Sequence, residues 1–344
     1  MSASSPPDRC PKHMVYGPCG GVRPDHSCEM DARRPCPFAG LESPVPWSGT
    51  TPRPEAGLET GSRLLEAVAA GRPVVLTDLT LPAYDAEAVG TLTRVLRDSC
   101  DALLVGEHQN QPDFSPALMA QLIAGAGGTG WLTLTCRDRN RVVLEAELAS
   151  LRLAGADGVL CVTGDGRAHG VRPEVTQVFD LDGTRLAALA AARGLPAAVA
   201  ESPVAPPRAL RPQRLLEKQR AGARLAVLNS VGDAGEVRDF VAAARDLGVT
   251  LPVVAAVAVY TDEPSALALQ RLPGLQLDPD GVRRVLTAVD PQRAGVEAAV
   301  AQAHELLEIE QVAGVNVSGL ATGRGVMAVA EVKAEVGRRI RALR

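Results

Sequence analysis

The chain has 344 residues, of which 46% are hydrophobic and 22% charged, with a net charge of −4. That is enough apolar material for a large core, and about 300 residues is an ordinary size for one closed α/β barrel. The near-neutral balance excludes the strong basic field of a nucleic-acid or anionic-membrane binder, and no apolar run reaches the ~18 residues of a membrane span.

The first 40 residues have little hydrophobic periodicity and are rich in Cys, Pro, Gly and charge, so they cannot bury enough surface to fold unaided. They open on Met-Ser-Ala-Ser-Ser-Pro-Pro, with no basic region leading into an apolar stretch, and the expected location is the cytoplasm. Four of the seven cysteines crowd here: Cys10, Cys19, Cys28 and Cys36, separated by eight, eight and seven residues. Disulfides are disfavoured in a reducing compartment. Four thiolates in a coreless segment point instead to a closed zinc site, with an iron–sulfur cluster as the alternative. Gly20 and Gly21 free the backbone to wrap such a centre. His13 and His26 are substitute ligands in the same stretch. Residues 41–60, rich in Pro, Gly, Ser and Thr, form a linker.

From about residue 61 the composition changes, and apolar runs alternate with amphipathic segments to the C-terminus. Strands are expected at 73–79, 101–106, 130–136, 157–163, 195–201, 223–229, 251–258 and 313–317. Helices are expected near 85–99, 115–124, 140–154, 183–193, 209–221, 234–247, 290–309 and 323–342. Runs such as Val253–Val259 are apolar on both faces, as buried parallel strands are. Eight such units most simply close into a (β/α)8 TIM barrel over 61–344, with a doubly wound open sheet as the competing architecture. Chemistry in a barrel gathers at the C-terminal strand ends. The polar residues there are Asp78, Glu107, Arg137, Asp138, Asn140, Asp165, Glu201, Asn229 and Asn316. Several of these are expected to be helix caps or loop residues.

Three ordered stretches resemble the methylenetetrahydrofolate reductase family: Leu134-Thr135-Cys136-Arg137-Asp138-Arg139-Asn140; Val162-Thr163-Gly164-Asp165 followed by Val178-Phe179-Asp180-Leu181-Asp182; and Leu216–Ala223 with its Lys218-x-x-x-Gly-Ala pattern, leading to Asn229. The opening Leu64-Leu65-Glu66 with Val74–Asp78, and the closing Gly314-Val315-Asn316-Val317, are similar as well. The resemblance covers about 61–320. The N-terminal cysteine segment resembles a module annexed to some of these reductases and usually described as their C-terminal domain; here it comes first.

The resemblance implies reduction of 5,10-methylenetetrahydrofolate to 5-methyltetrahydrofolate, with hydride passing from NADH or another reductant through FAD. It assigns the proton donor at the end of the first strand to Asp78, where the family usually has Glu. Asp165 matches the aspartate beside flavin and pterin, a catalytic, cofactor-contacting and substrate-binding role. Lys218 matches a lysine reaching flavin phosphate or ribityl oxygens, and Arg137 a phosphate contact. Thr133 stands where a flavin-touching His is common, Asn229 where a pterin-recognising Gln is, and Ala258–Asp262 replaces a Pro-Gly turn. These departures motivate two alternatives: a flavin-free tetrahydrofolate-dependent one-carbon transfer enzyme, and a non-catalytic folate-binding subunit of a redox or methyl-transfer complex. A folate substrate is expected, with no nucleic acid and no membrane; a homo-oligomer is compatible with every version.

Overall fold

The computed structural model describes residues 10–54, 57–58, 60–107, 111–166, 174–229, 233–270, 275 and 277–343. Its strands are β1 (Val74–Asp78), β2 (Ala102–Val105), β3 (Gly130–Thr135), β4 (Gly158–Val162), β5 (Ala197–Glu201), β6 (Leu225–Leu228), β7 (Val253–Tyr260) and β8 (Val312–Ala321). Each pairs in parallel with the next, and β8 returns to β1 through Val74–Gly314 and on to Thr77–Val317. That last ladder closes the sheet and excludes the open alternative. The chain folds as a (β/α)8 barrel.

The helices are α1 (Arg63–Ala69), α2 (Ala86–Leu96), α3 (Pro116–Gly125), α4 (Arg141–Leu153), α5 (Gly183–Ala192), α6 (Arg211–Arg220), α7 (Ala234–Asp246), α8 (Glu263–Gln270), α9 (Pro279–Leu286), α10 (Pro291–Leu307) and α11 (Val326–Arg341). Asp85, Ser115, Asn140, Asp182, Asp233 and Asp290 each accept a hydrogen bond from a backbone N–H in the first turn of the helix that follows. Such caps satisfy donors that the helix itself leaves open. The seven helices expected between strands and the one expected after the last strand are present, but α8 and α9 intervene between β7 and α10. Both are eight residues long, too short for a periodic signal, although Asp278 and Pro279 form an ordinary helix start.

Two concentric cores result from the strands' two apolar faces. Val75, Leu103, Leu134 and Val257 face outward onto the helical ring. Val74, Leu76, Trp131 and Leu225 fill the barrel interior, together with Leu64 and Ala67 of α1. Helix α1 therefore plugs the floor of the barrel. Its start is fixed by Asp157, just ahead of β4, which accepts from Ser62 Oγ (2.8 Å), Arg63 N (2.7 Å), Leu64 N (3.3 Å) and Trp131 Nε1 (2.7 Å).

The cysteine segment contains no helix among its described residues and has a small core of Met14, Val22, Cys36 and Phe38. It sits on the opposite end of the barrel from α1. Val15 N donates to Asp182 Oδ2 (3.0 Å), Arg185 to His13 O (3.2 Å), and Arg211 to Pro18 O (3.3 Å) and Cys19 O (3.0 Å). Downstream, Trp47 stacks at a tilt on Tyr16 (5.1 Å) and donates its backbone N–H to Glu217 (2.5 Å). Among the described residues no helix is long and apolar enough to cross a membrane.

Candidate functional site

A cavity of about 530 Å3 occupies the C-terminal ends of the strands, roofed by the cysteine segment. Its wall includes Asp78 from β1, Thr133 from β3, Arg137 just beyond it, Asp165 after β4, Lys218 from α6 and Asn229 after β6. The folate-side and cofactor-side residues expected from the sequence thus share one void, although five different βα units supply them.

Asp78 is held from β8. Asn316 Nδ2 donates to one carboxylate oxygen (2.8 Å) and Ser318 Oγ to the other (2.5 Å). Asn316 and Ser318 are two apart on a strand, so they share a face, and the β1–β8 register carries both to Asp78. Beneath them Lys333 of α11, fully buried, donates to the Asp78 carbonyl (2.8 Å) and to Thr80 Oγ1 (3.2 Å). Burial pulls the Lys333 ammonium down to about 8, against the opposing pull of Asp78.

Asp165 sits in the turn Gly164-Asp165-Gly166. Gly164 has φ +92°, and a Cβ there would lie 3.1 Å from Thr135 and 3.2 Å from Arg137, so both conformation and space require glycine. Arg137 Nη1 donates to the Asp165 carbonyl (3.4 Å), while its Nε pairs with Asp138 (2.9 Å). Asp165 is exposed at the cavity, with its carboxyl partly buried. That partial burial, reinforced by the nearby Glu29 charge, raises it from its ordinary value, against Lys12 and Arg137. Glu107, also on the cavity, is pushed up by burial despite Arg139 at 2.7 Å.

Lys218 is engaged differently from the sequence expectation. Its Nζ donates to Glu201 Oε2 (2.6 Å) and to Ala200 O (2.5 Å). Glu201 is also met by Arg211 (3.2 Å) and Arg214 (3.9 Å), all nearly inaccessible. Burial alone would raise Glu201, but the three cations outweigh it and hold the carboxylate near 2. Burial lowers Lys218 to about 8, partly offset by Glu201. Three cations thus surround one carboxylate, and Arg214 Nε is buried without a hydrogen-bond partner.

The four cysteines border a separate void of about 10 Å3 within the segment. Burial raises the thiols of Cys10, Cys19 and Cys36, with Cys19 reaching about 12. Among the described residues, no three His, Cys, Asp or Glu are gathered into a group that could hold a metal ion. His13 instead places Nδ1 on Phe179 O (3.0 Å).

Other sequence features turn out to be structural. Asn140 caps α4, Asp180 accepts from Arg141 N (3.0 Å), and Asp182 caps α5 while holding Val15. Lys12, Glu29, Ser318, Lys333, Arg211 and Arg214 were not singled out in the sequence. A signal existed for α6, where positions 211, 214 and 218 place three cations on one helical face. None existed for Lys12 and Glu29, which reach the cavity only because the segment folds back onto the barrel.

The family described as "Methylene-tetrahydrofolate reductase C terminal" matches residues 1–43. No curated protein sequence matches the chain. A solved protein from Clostridium thermocellum that binds two copies of 5-methyl-5,6,7,8-tetrahydrofolic acid has a TM-score of 0.59 at 13% identity, covering 82% of this chain and 100% of its own. Tryptophan synthase from M. tuberculosis gives 0.46 at 14% identity, covering 82% and 100%. At such identities the first of these shows a shared barrel fold. The protein is a (β/α)8 barrel whose mouth is covered by a segment similar to the family described as methylene-tetrahydrofolate reductase C terminal.

Proposed function

We propose that the barrel mouth binds a reduced folate carrying a one-carbon unit and reduces 5,10-methylenetetrahydrofolate to 5-methyltetrahydrofolate. The observation that carries this is the meeting of Asp78, Asp165 and Asn229 in one cavity. Its volume of about 530 Å3 lies within the roughly 300–1,000 Å3 typical of small-molecule sites. The family match of residues 1–43 and the folate bound by the Clostridium barrel support the substrate class.

In this scheme the roles of the two aspartates are exchanged relative to the family expectation. Asp78, oriented by Asn316 and Ser318, accepts hydrogen bonds from the amino-pyrimidine edge of the pterin. Asn229 can both donate and accept, and completes recognition of that ring. Asp165, whose hold on its proton is raised by partial burial and by Glu29, donates a proton to N10 as the five-membered ring opens. The C–N10 bond breaks, the methylene remains on N5 as a cationic iminium, and hydride adds to that carbon to give the methyl group. The resulting Asp165 carboxylate stabilises the cation until hydride arrives.

A dinucleotide, flavin or nicotinamide, supplies that hydride when bound. Three cations around the single Glu201 carboxylate leave positive charge at the cavity edge, which fits a phosphate-bearing group held by Lys218 and Arg214. A flavin-free one-carbon transfer is favoured by one point: Thr133 lines the cavity where the resemblance leads one to expect a flavin-touching His. Absorption spectra combined with NADH consumption separate the two. Flavin absorbance or NADH oxidation dependent on methylenetetrahydrofolate supports reduction. Folate turnover with neither assigns the transfer chemistry.

For the cysteine segment we propose a thiolate-bound zinc or iron–sulfur centre that staples it over the mouth. Four cysteines around a void of about 10 Å3, room for about one small ion or water, provide the donor set. Binding requires the thiols to close further and lose their protons.

A further inference from the structure

We propose that Glu29, in the cysteine segment, is a positioning residue for the barrel site: its carboxylate clamps the turn that carries Asp165. One oxygen, Oε1, accepts the backbone N–H of Gly166 (2.9 Å). The other accepts from Lys12 Nζ (2.5 Å) and from the Cys19 thiol (3.5 Å). Lys12 is buried and Glu29 nearly so, with side-chain exposures of 3% and 15%, and both line the cavity.

The turn needs such an anchor. Gly164 is in the left-handed region and Gly166 lacks a side chain, so little in the local sequence fixes the direction of Asp165. From the barrel, Arg137 reaches the Asp165 carbonyl at 3.4 Å, a long hydrogen bond. From the roof, Glu29 takes the N–H of that same peptide group in a shorter bond assisted by its charge. Met30 packs over Gly166, so that a Cβ on this glycine would collide with the Met30 sulfur. The two anchors grip the two ends of one peptide group, the Asp165–Gly166 unit. The roof therefore builds one wall of the site, beyond stapling the segment to the barrel.

The clamp is a claim about structure, and its effect on turnover rests on the folate function proposed above. The test uses the full chain with Glu29→Ala, Glu29→Gln, and the double variant Lys12→Met with Glu29→Gln. The double variant keeps an acceptor for Gly166 while removing the cation left unpaired. Hydrogen exchange of the peptide containing Gly166 is followed alongside thermal unfolding. Exchange in Glu29→Ala is expected to accelerate by about tenfold or more, the loss of one charge-assisted bond, and to slow back toward the parent rate in the double variant, whose amide oxygen is a weaker, neutral acceptor. Unchanged exchange in a folded Glu29→Ala protein overturns the clamp. If Glu29→Ala does not fold, the double variant decides: exchange as fast as that of a freely opening turn overturns the clamp, and parent-like exchange supports it. In turnover, Glu29→Ala is expected to lower kcat by about tenfold with little change in KM, as misplacement of a proton donor does. Failure of the unaltered chain to bind 5-methyltetrahydrofolate removes the folate function and leaves the exchange result to judge the clamp alone.

Discussion

Asp78 and Asp165 face the same cavity from opposite environments. Asp78 accepts a hydrogen bond on each carboxylate oxygen, from Asn316 and Ser318, whereas Asp165 is exposed at the cavity with its partly buried carboxyl near the Glu29 charge. Two carboxyl groups separated in this way divide acceptor and acid roles. Asp165→Asn is expected to lower kcat by about a hundredfold or more, the usual contribution of a positioned acid; Asp78→Asn should chiefly weaken folate binding. In the proposed mechanism Asp165 acts when protonated, and its affinity for the proton is raised, so kcat is predicted to fall as pH rises through that raised value. That limb should vanish in Asp165→Asn, and initial rates across pH check both points. Lys333 makes a separate prediction about stability. Its folded value of about 8 lies below the ordinary 10.5, so between these values the unfolded chain binds a proton the folded chain does not. Stability should therefore rise with pH across that window. Lys218 contributes in the same direction, so the Lys333 share is the difference between parent and Lys333→Met in urea unfolding at pH 8 and pH 10.

At the scale of elements, the apolar runs were legible because a strand buried on both faces has almost no polar residue to confuse the pattern. Six of the eight strands fall within the stretches expected; β7 runs on to Tyr260, and β8 starts one residue early at Val312 and runs on to Ala321. The β8 extension mattered: it carries Ser318, which sequence boundaries left outside the strand and which proves to orient Asp78. The short α8 and α9 escaped because eight residues span little more than two turns. Nothing in the sequence tied Asp157 to α1, 93–95 residues away, because that cap is made by tertiary structure. Asp157→Ala is expected to cost about 2–4 kcal/mol, since it strips buried donors on Ser62, Arg63, Leu64 and Trp131 at once. Denaturant unfolding at pH 7 measures it, and the loss should appear in the midpoint with little change in slope.

For the whole molecule, the decisive relation is between the cysteine segment and the barrel. Sequence supplied the barrel and its strand-end polar residues, because both follow local periodicity and a general rule for where barrels place their sites. It did not supply the roof, since Lys12 and Glu29 enter the cavity through packing between residues more than a hundred positions apart. Lys218 illustrates the same limit: its match to a phosphate-binding lysine was visible, but its partner Glu201 was known only as a strand end. If a thiolate-bound metal organises the roof, its removal by a strong chelator should loosen the Gly166 peptide as Glu29→Ala does, while the barrel keeps its far-ultraviolet circular dichroism. Metal analysis of the same sample distinguishes zinc from iron.

The most direct test of the shared folate cavity is calorimetric titration of 5-methyltetrahydrofolate into the unaltered chain, Asp78→Ala, Asp165→Ala and Asn229→Ala. Saturable binding by the parent, weakened about tenfold or more in each variant for loss of a polar contact of about 1.4 kcal/mol, is the predicted result. No binding by the parent, or equal affinity in all four proteins, contradicts it.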